Sequence, residues 1–251
     1  MRSWSSRGKT SWKRKRKIRD SGRNNSQLRD LKITGDFCPA AHGSVLLEMG
    51  NTRLICAASV GDSVPDHAVK RGTGWITAEY CLLPYSTPRR TGRDLYRRDG
   101  RSVEIQRLIA RALRSVVDLS AMQNCLVTVD CDVLQADGGT RAAAITGGYI
   151  ALARAVKRMR GEGLLAENPL RDTVAAVSVG YVSGELFLDL DFREDSRAEV
   201  DMNVVMDGAS NLIEVQGTAE KKSFTKNQMD SMIELAEKGI RELMEIQKKY
   251  I

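Results

Sequence analysis

The 251-residue chain is 42% hydrophobic and 28% charged, with a net charge of +7, the balance of a globular protein long enough to bury a substantial core. No apolar run approaches membrane-spanning length and no succession of residues resembles a secretory leader, so a membrane partner and export are not expected. Five scattered cysteines (Cys38, Cys56, Cys81, Cys125, Cys131) lack a CxxC pair and have only His42 and His67 beside them, which argues against structural zinc and for reduced thiols in a cytoplasmic protein.

The charge is unevenly placed. Residues 1–19 hold nine Lys or Arg and no acid, so the rest of the chain carries −2. The Ser-rich, aperiodic stretch 1–18 is expected to be a basic, disordered extension, either a solubilising start or a contact for a phosphate backbone. One folded domain is expected over 19–251, with an N-terminal part of about 19–158 and a C-terminal part of about 172–251. The connection "RGEGLLAENPLRD" (Arg160 to Asp172) joins them.

In chain order, "SVLLEMGNTRLICAASV" (Ser44 to Val60) reads as a hairpin around Gly50-Asn51-Thr52. "RRDGRSVEIQRL" opens a helix in which Ile105, Leu108, Ile109, Ala112, Leu113 and Val116 form a stripe of period 3.6, with Arg107, Arg111 and Arg114 turned away. "LVTVDCDV" (Leu126 to Val133) alternates as a strand, with Val127, Val129, Cys131 and Val133 on one face. A second helix runs from about Thr140 to Gly161. Two more hairpins turn at Ser183-Gly184 and near Asp207-Gly208. A last helix opens at Thr225, three residues before Gln228, the spacing of a capping box. Hairpins and helices without regular alternation predict an α+β fold of mixed sheets and packed helices.

Three stretches carry chemistry. In "LQADGGTRAAAITGG", Asp137, Gly138 and Gly139 lead from a strand into a helix at Thr140-Arg141. Glycines admit a ligand to the backbone, and free N–H groups at a helix start attract an anion. Arg141 adds a forked donor for phosphate oxygens and Thr140 a hydroxyl. Arg101, after Asp99-Gly100, repeats the arrangement at a second helix start, so the two could converge on one phosphate. Upstream, "LPYSTPRRTGRDLYRRDGR" concentrates Arg89, Arg90, Arg93, Arg97, Arg98 and Arg101 in a loop, a candidate grip on an RNA backbone. Finally, "LFLDLDFREDSRAEVDMNVV" (Leu186 to Val205) reads as a strand hairpin bearing Asp189, Asp191, Asp195 and Asp201 among apolar residues. Such acids need a partner, a metal or a chemical task. Asp189 and Asp191 alternate with Leu188 and Leu190, which allows at least one of them simply to face solvent. Two of the four are expected to act.

Taken together, "RDSGRNNSQLRDLKIT", "GWITAEYCLLPYST", "GRSVEIQRLIARALR", "DCDVLQADGGTRAAAITGG", "DLDFREDSRAEVDMNVV" and "EVQGTAE" resemble the bacterial RNase PH family, in order and at family spacing from Arg19 to the last helix. The resemblance implies a ribosomal-protein-S5-domain-2-like fold. It also implies a phosphate-dependent 3′→5′ exoribonuclease (tRNA nucleotidyltransferase) acting reversibly on tRNA precursors, with inorganic phosphate as co-substrate and a divalent metal such as magnesium. The assembly implied is a homohexamer, a trimer of dimers. Carried over by motif, phosphate binding falls to Arg101, Gly139, Thr140 and Arg141, and catalysis and metal binding fall to Asp195 and Asp201. Arg90, Arg93, Arg97 and Arg98 are expected to bind RNA. Two positions depart from the family pattern. Ser21-Gly22-Arg23 stands for the usual "DGR", and Tyr85 for an arginine after "LP", which bears on tRNA contact rather than chemistry. The aspartates would serve the departing 3′-oxygen as metal ligands or as a proton source, and both versions stand. The rivals are a non-catalytic exosome-like ring subunit, a hydrolytic nuclease and a plain RNA-binding module. None of them accounts for the arginine pair and the aspartates together.

Overall fold

The computed structural model describes residues 19, 21–93 and 100–251. The basic extension 1–18, Arg97 and Arg98 lie outside the described residues. Two sheets are built. The first has the order β1-β2-β3-β5-β4, from β1 (Leu31–Gly35), β2 (Gly43–Met49), β3 (Thr52–Gly61), β4 (Trp75–Leu82) and β5 (Leu126–Gln135). Its pairs are antiparallel except β4 with β5, which is parallel. The second has the order β7-β6-β8-β9, from β6 (Val174–Val182), β7 (Glu185–Leu188), β8 (Val200–Asp207) and β9 (Leu212–Ala219), all antiparallel. The α+β expectation holds.

The expected turns fall where the sequence puts them. Gly50 (φ 56°) turns β2 into β3, and Ser183 and Gly184, both at positive φ, turn β6 into β7. In β5 the alternation is realised, with Val127, Val129, Cys131 and Val133 buried.

A short helix α1 (Asp66–Val69) precedes α2 (Gly100–Ser115), which buries Ile105, Leu108, Ile109, Ala112 and Leu113 against the first sheet. Helix α3 (Thr140–Gly161) packs on β2, β3 and β5 on one side and on β6 and β8 on the other. Serving both sheets, it is apolar nearly all round from Ala142 to Val156. The fit is close: a Cβ at Gly147 would lie 2.8 Å from Cys56 Sγ. The C-terminal α5 (Lys226–Gln247) starts at the Thr225/Gln228 capping box and covers the second sheet.

One expectation fails. The stretch from Leu186 to Val205 is not a simple hairpin, because β7 stops at Leu188 and a helical turn α4 (Phe192–Asp195) stands before β8. Asp189 has a positive φ of 53°, which ends the strand. The Asp191 side chain accepts the Glu194 N–H at 2.9 Å and the Glu194 carboxylate accepts the Asp191 N–H at 3.0 Å, a reciprocal cap that favours a helix start over an extended chain. Neither acid therefore sits on a strand facing solvent. Asp189 is buried, and Asp191 is a cap.

Candidate active site

The loop between β5 and α3 is held from several directions. Thr52 Oγ1 accepts the Asp137 N–H at 3.0 Å and donates to the Gly138 carbonyl at 2.8 Å. Gly138 and Gly139 follow at φ 78° and 65°, a left-handed pair that other residues adopt only with strain. A Cβ at Gly138 would lie 2.6 Å from the Leu190 oxygen and the Asp191 carbonyl carbon, so this loop touches the lead into α4 backbone to backbone. Gly139 occupies the cap position of α3 and offers no side-chain acceptor. The first N–H groups of α3 are left to an external anion.

A buried arginine joins this loop to the acidic segment. Arg29 donates to the carbonyls of Asp137 (2.7 Å) and Gly138 (3.3 Å). It also donates to both carboxylate oxygens of Asp189, at 2.6 Å from Nη2 and 2.9 Å from Nε. Asp189 takes the Arg29 backbone N–H as well, at 2.8 Å. Burial opposes the Arg29 charge, but Asp189 outweighs it and holds its pKa above the usual arginine value. Arg19 makes a second clamp, pairing with Glu194 and donating to the carbonyls of Leu188 (2.7 Å) and Asp189 (3.0 Å). Arg23 completes it, donating to the Asp189 carbonyl at 3.2 Å. Buried charges stay when paired and fully hydrogen-bonded. Here the pairing fixes the segment that carries Asp195.

The cleft between these parts has a volume of about 1250 Å³ and is lined by Arg101, Gly139, Thr140, Arg141, Asp195 and Asp201. All six residues expected at the phosphate and the acids therefore meet. Arg101 stands at the start of α2 and Arg141 at the start of α3, and the fields of both reach Asp195. Arg141 is aimed by Gln216, whose Oε1 accepts from Nη1 at 2.8 Å, with Glu104 at 3.6 Å. Thr140 Oγ1 shares a 2.8 Å hydrogen bond with the buried Tyr80 hydroxyl. Burial raises the pKa of Asp195 against the pull of Arg101 and Arg141. It also raises that of Asp201, with Asp195 and Glu220 adding to the rise. Asp201 Oδ1 is buried and has no hydrogen-bond partner.

That orphaned oxygen beside a second carboxylate suits a hard cation. Among the described residues no three His, Cys, Asp or Glu side chains gather as a ligand set. Magnesium commonly takes one or two carboxylates and completes its shell with water and substrate phosphate, so Asp195 and Asp201 fit that use. The described part of the basic loop divides in two. Arg89 lines the cleft, whereas Arg90 and Arg93 are exposed beyond its lining. Sequence reasoning missed Arg29, Arg19, Tyr80 and Gln216, all of which act through partners distant in the chain.

The family model described as the 3′ exoribonuclease family, domain 1, matches residues 27–157, and that family's domain 2 model matches residues 172–239. The chain belongs to the 3′ exoribonuclease family. Within the family it is 49% identical over 231 residues to Ribonuclease PH of Crocosphaera subtropica, covering 92% of this chain and 96% of that one. It is 52% identical over 236 residues to Ribonuclease PH of Moorella thermoacetica, covering 93% and 94%. Identity at this level over nearly the whole chain makes it a phosphorolytic 3′ exoribonuclease. The fold recurs in the Archaeoglobus fulgidus exosome with RNA bound to the active site, at a TM-score of 0.78, 23% identity and 91% and 92% coverage. It recurs also in rice Rrp46, at 0.75, 21% identity and 92% and 98% coverage. These two likenesses concern the fold alone.

Proposed function

We propose that the cleft performs phosphorolysis of the 3′-terminal phosphodiester of RNA, with tRNA precursors as natural substrates. Inorganic phosphate attacks the terminal phosphorus, the bond to the preceding ribose 3′-oxygen breaks, and a nucleoside diphosphate leaves from a chain one nucleotide shorter. Two anions must meet, so the attacking phosphate is held by Arg101, Arg141, the Thr140 hydroxyl and the uncapped N–H groups of α3, which also bear the charge that develops in the transition state. The single observation that carries this reading is the meeting of both arginine-bearing helix starts with Asp195 and Asp201 in one cleft.

Asp195 and Asp201 face the departing ribose oxygen. Their raised pKa values favour holding a proton that one of them can give to that oxygen. The same two carboxylates would hold a magnesium ion, which supplies charge neutralisation when bound. Arg89, Arg90, Arg93, Arg97 and Arg98 draw the RNA backbone toward the cleft by charge. The 1–18 extension stands outside the chemistry, ahead of one folded domain of two parts, about 19–158 and 172–251. A homohexamer built as a trimer of dimers, working in the cytoplasm, completes the proposal. The test is the product: shortening of RNA must require phosphate and yield nucleoside diphosphates. A non-catalytic ring subunit would bind RNA without shortening it.

A further inference from the structure

Beside the cleft lies a second crevice of about 590 Å³ that shares Thr87, Pro88 and Asp137 with it. That volume is within the range of small-ligand sites. At its edge stands Tyr85, 68% exposed although its neighbour Ser86 is 3% exposed. The loop that presents Tyr85 is fixed rather than loose. Ser86 donates its N–H to the Leu83 carbonyl at 2.9 Å and accepts the Ala136 N–H at 2.8 Å, and the Thr91 N–H reaches the Pro84 carbonyl at 3.0 Å. A large ring held out to solvent on an anchored loop, next to a cleft that takes an RNA end, has the form of a stacking platform.

The crevice also carries polar groups. Asp137, Asp191 and Arg193 line it, and each aspartate has one carboxylate oxygen engaged, by Asn51 Nδ2 at 3.1 Å and by the Glu194 N–H at 2.9 Å. Carboxylate oxygens accept hydrogen bonds and a guanidinium donates them, so the crevice presents both acceptors and a donor to the edge of a base. On the same loop Arg89 lines the cleft, and Arg90 beside it is exposed.

We propose that this crevice is a nucleobase site, in which an unpaired base upstream of the scissile bond stacks on Tyr85. The inference rests on the phosphorolytic reading of the cleft, and it adds a specificity element on the anchored loop that leads to Arg89. An unpaired 3′ extension reaches the crevice, whereas a base locked in a duplex does not. The enzyme therefore grips single-stranded ends and loosens at a stem.

The experiment compares parent protein, Tyr85→Ala and Tyr85→Phe by titrating a single-stranded oligoadenylate without phosphate, so that binding is read separately from turnover. A nucleoside diphosphate, which fills only the cleft, is titrated in parallel. A set of oligonucleotides with 2-aminopurine at successive positions reads stacking directly. Loss of one stacked base should weaken oligoadenylate binding by roughly tenfold in Tyr85→Ala, restored in Tyr85→Phe. Nucleoside diphosphate binding should be equal in all three, and quenching at one upstream 2-aminopurine position should vanish in Tyr85→Ala. Equal oligoadenylate affinities in parent and Tyr85→Ala, or an equal loss for the nucleoside diphosphate, would overturn the proposal. Failure of the parent protein to release nucleoside diphosphates would instead count against the phosphorolytic reading, leaving these binding results to stand by themselves.

Discussion

Replacing Gly138 by alanine tests whether the phosphate loop must lie against the segment that carries the acids. The added Cβ would stand 2.6 Å from the Leu190 oxygen and the Asp191 carbonyl carbon, where ordinary contact begins at 3.4 Å. The loop and the lead into α4 must part by about 0.8 Å, both partners being backbone that cannot swing aside. The left-handed φ of 78° adds strain of about 1–2 kcal/mol for any other residue. A displacement of about 1 Å between the groups holding phosphate and those serving the leaving oxygen costs on the order of 10²-fold in rate. The control is Gly163→Ala, which has the same kind of φ (76°) with nothing within 4 Å of the new Cβ, so it shares the strain without the clash. Phosphorolysis of an RNA oligonucleotide across a phosphate series, with thermal melting of each variant, separates the two effects. Both variants should melt lower than the parent, and only Gly138→Ala should lose turnover. Parent-like turnover in Gly138→Ala, or an equal rate loss in Gly163→Ala, would refute the reasoning.

Asp201→Asn should lower turnover in both directions by orders of magnitude while RNA binding persists, because its role lies in the transition state; near-normal rates would remove Asp201 from the chemistry. The same variant should melt higher than the parent at neutral pH in chelator. The folded state raises the Asp201 pKa, so ionisation costs stability above that value, and the advantage of Asn should fade as pH falls toward the unfolded carboxylate value of ~3.9. Arg141→Ala should raise the phosphate concentration needed for half-maximal rate, and Arg141→Lys should be poor as well, since a point charge does not replace a fork; unchanged phosphate saturation would remove Arg141 from the clamp. Deleting residues 1–18, with eight cations, should weaken precursor-tRNA binding at low salt and flatten its salt dependence by roughly 0.7–0.9 for each RNA phosphate the extension neutralises. Parallel salt slopes would leave the extension without a binding role.

The sequence made the long elements and the phosphate loop legible for local reasons. Helices α2, α3 and α5 announce themselves by apolar spacing, glycine stops and the Thr225 cap, and the Gly138-Gly139 turn by a residue type that few other settings require. Helix α4 was not legible, because Leu188, Leu190 and Phe192 alternate with aspartates as they would on a strand, while the decisive cap between Asp191 and Glu194 is a side-chain event. Nor was the work of Arg29, whose partner Asp189 lies 160 residues away. Two of the four aspartates hold the structure, Asp189 through Arg29 and Asp191 through its cap with Glu194, and two line the cleft.

The most direct measurement of the central claim follows the phosphate itself. Unlabelled RNA is incubated with radiolabelled inorganic phosphate and the released nucleotides are separated. Attack by a phosphate held at Arg101 and Arg141 predicts nucleoside diphosphates labelled in the β-phosphoryl group, at a rate that rises with phosphate and collapses in Asp201→Asn. Unlabelled nucleoside monophosphates formed at a rate indifferent to phosphate would mean that water is the nucleophile and would contradict the account.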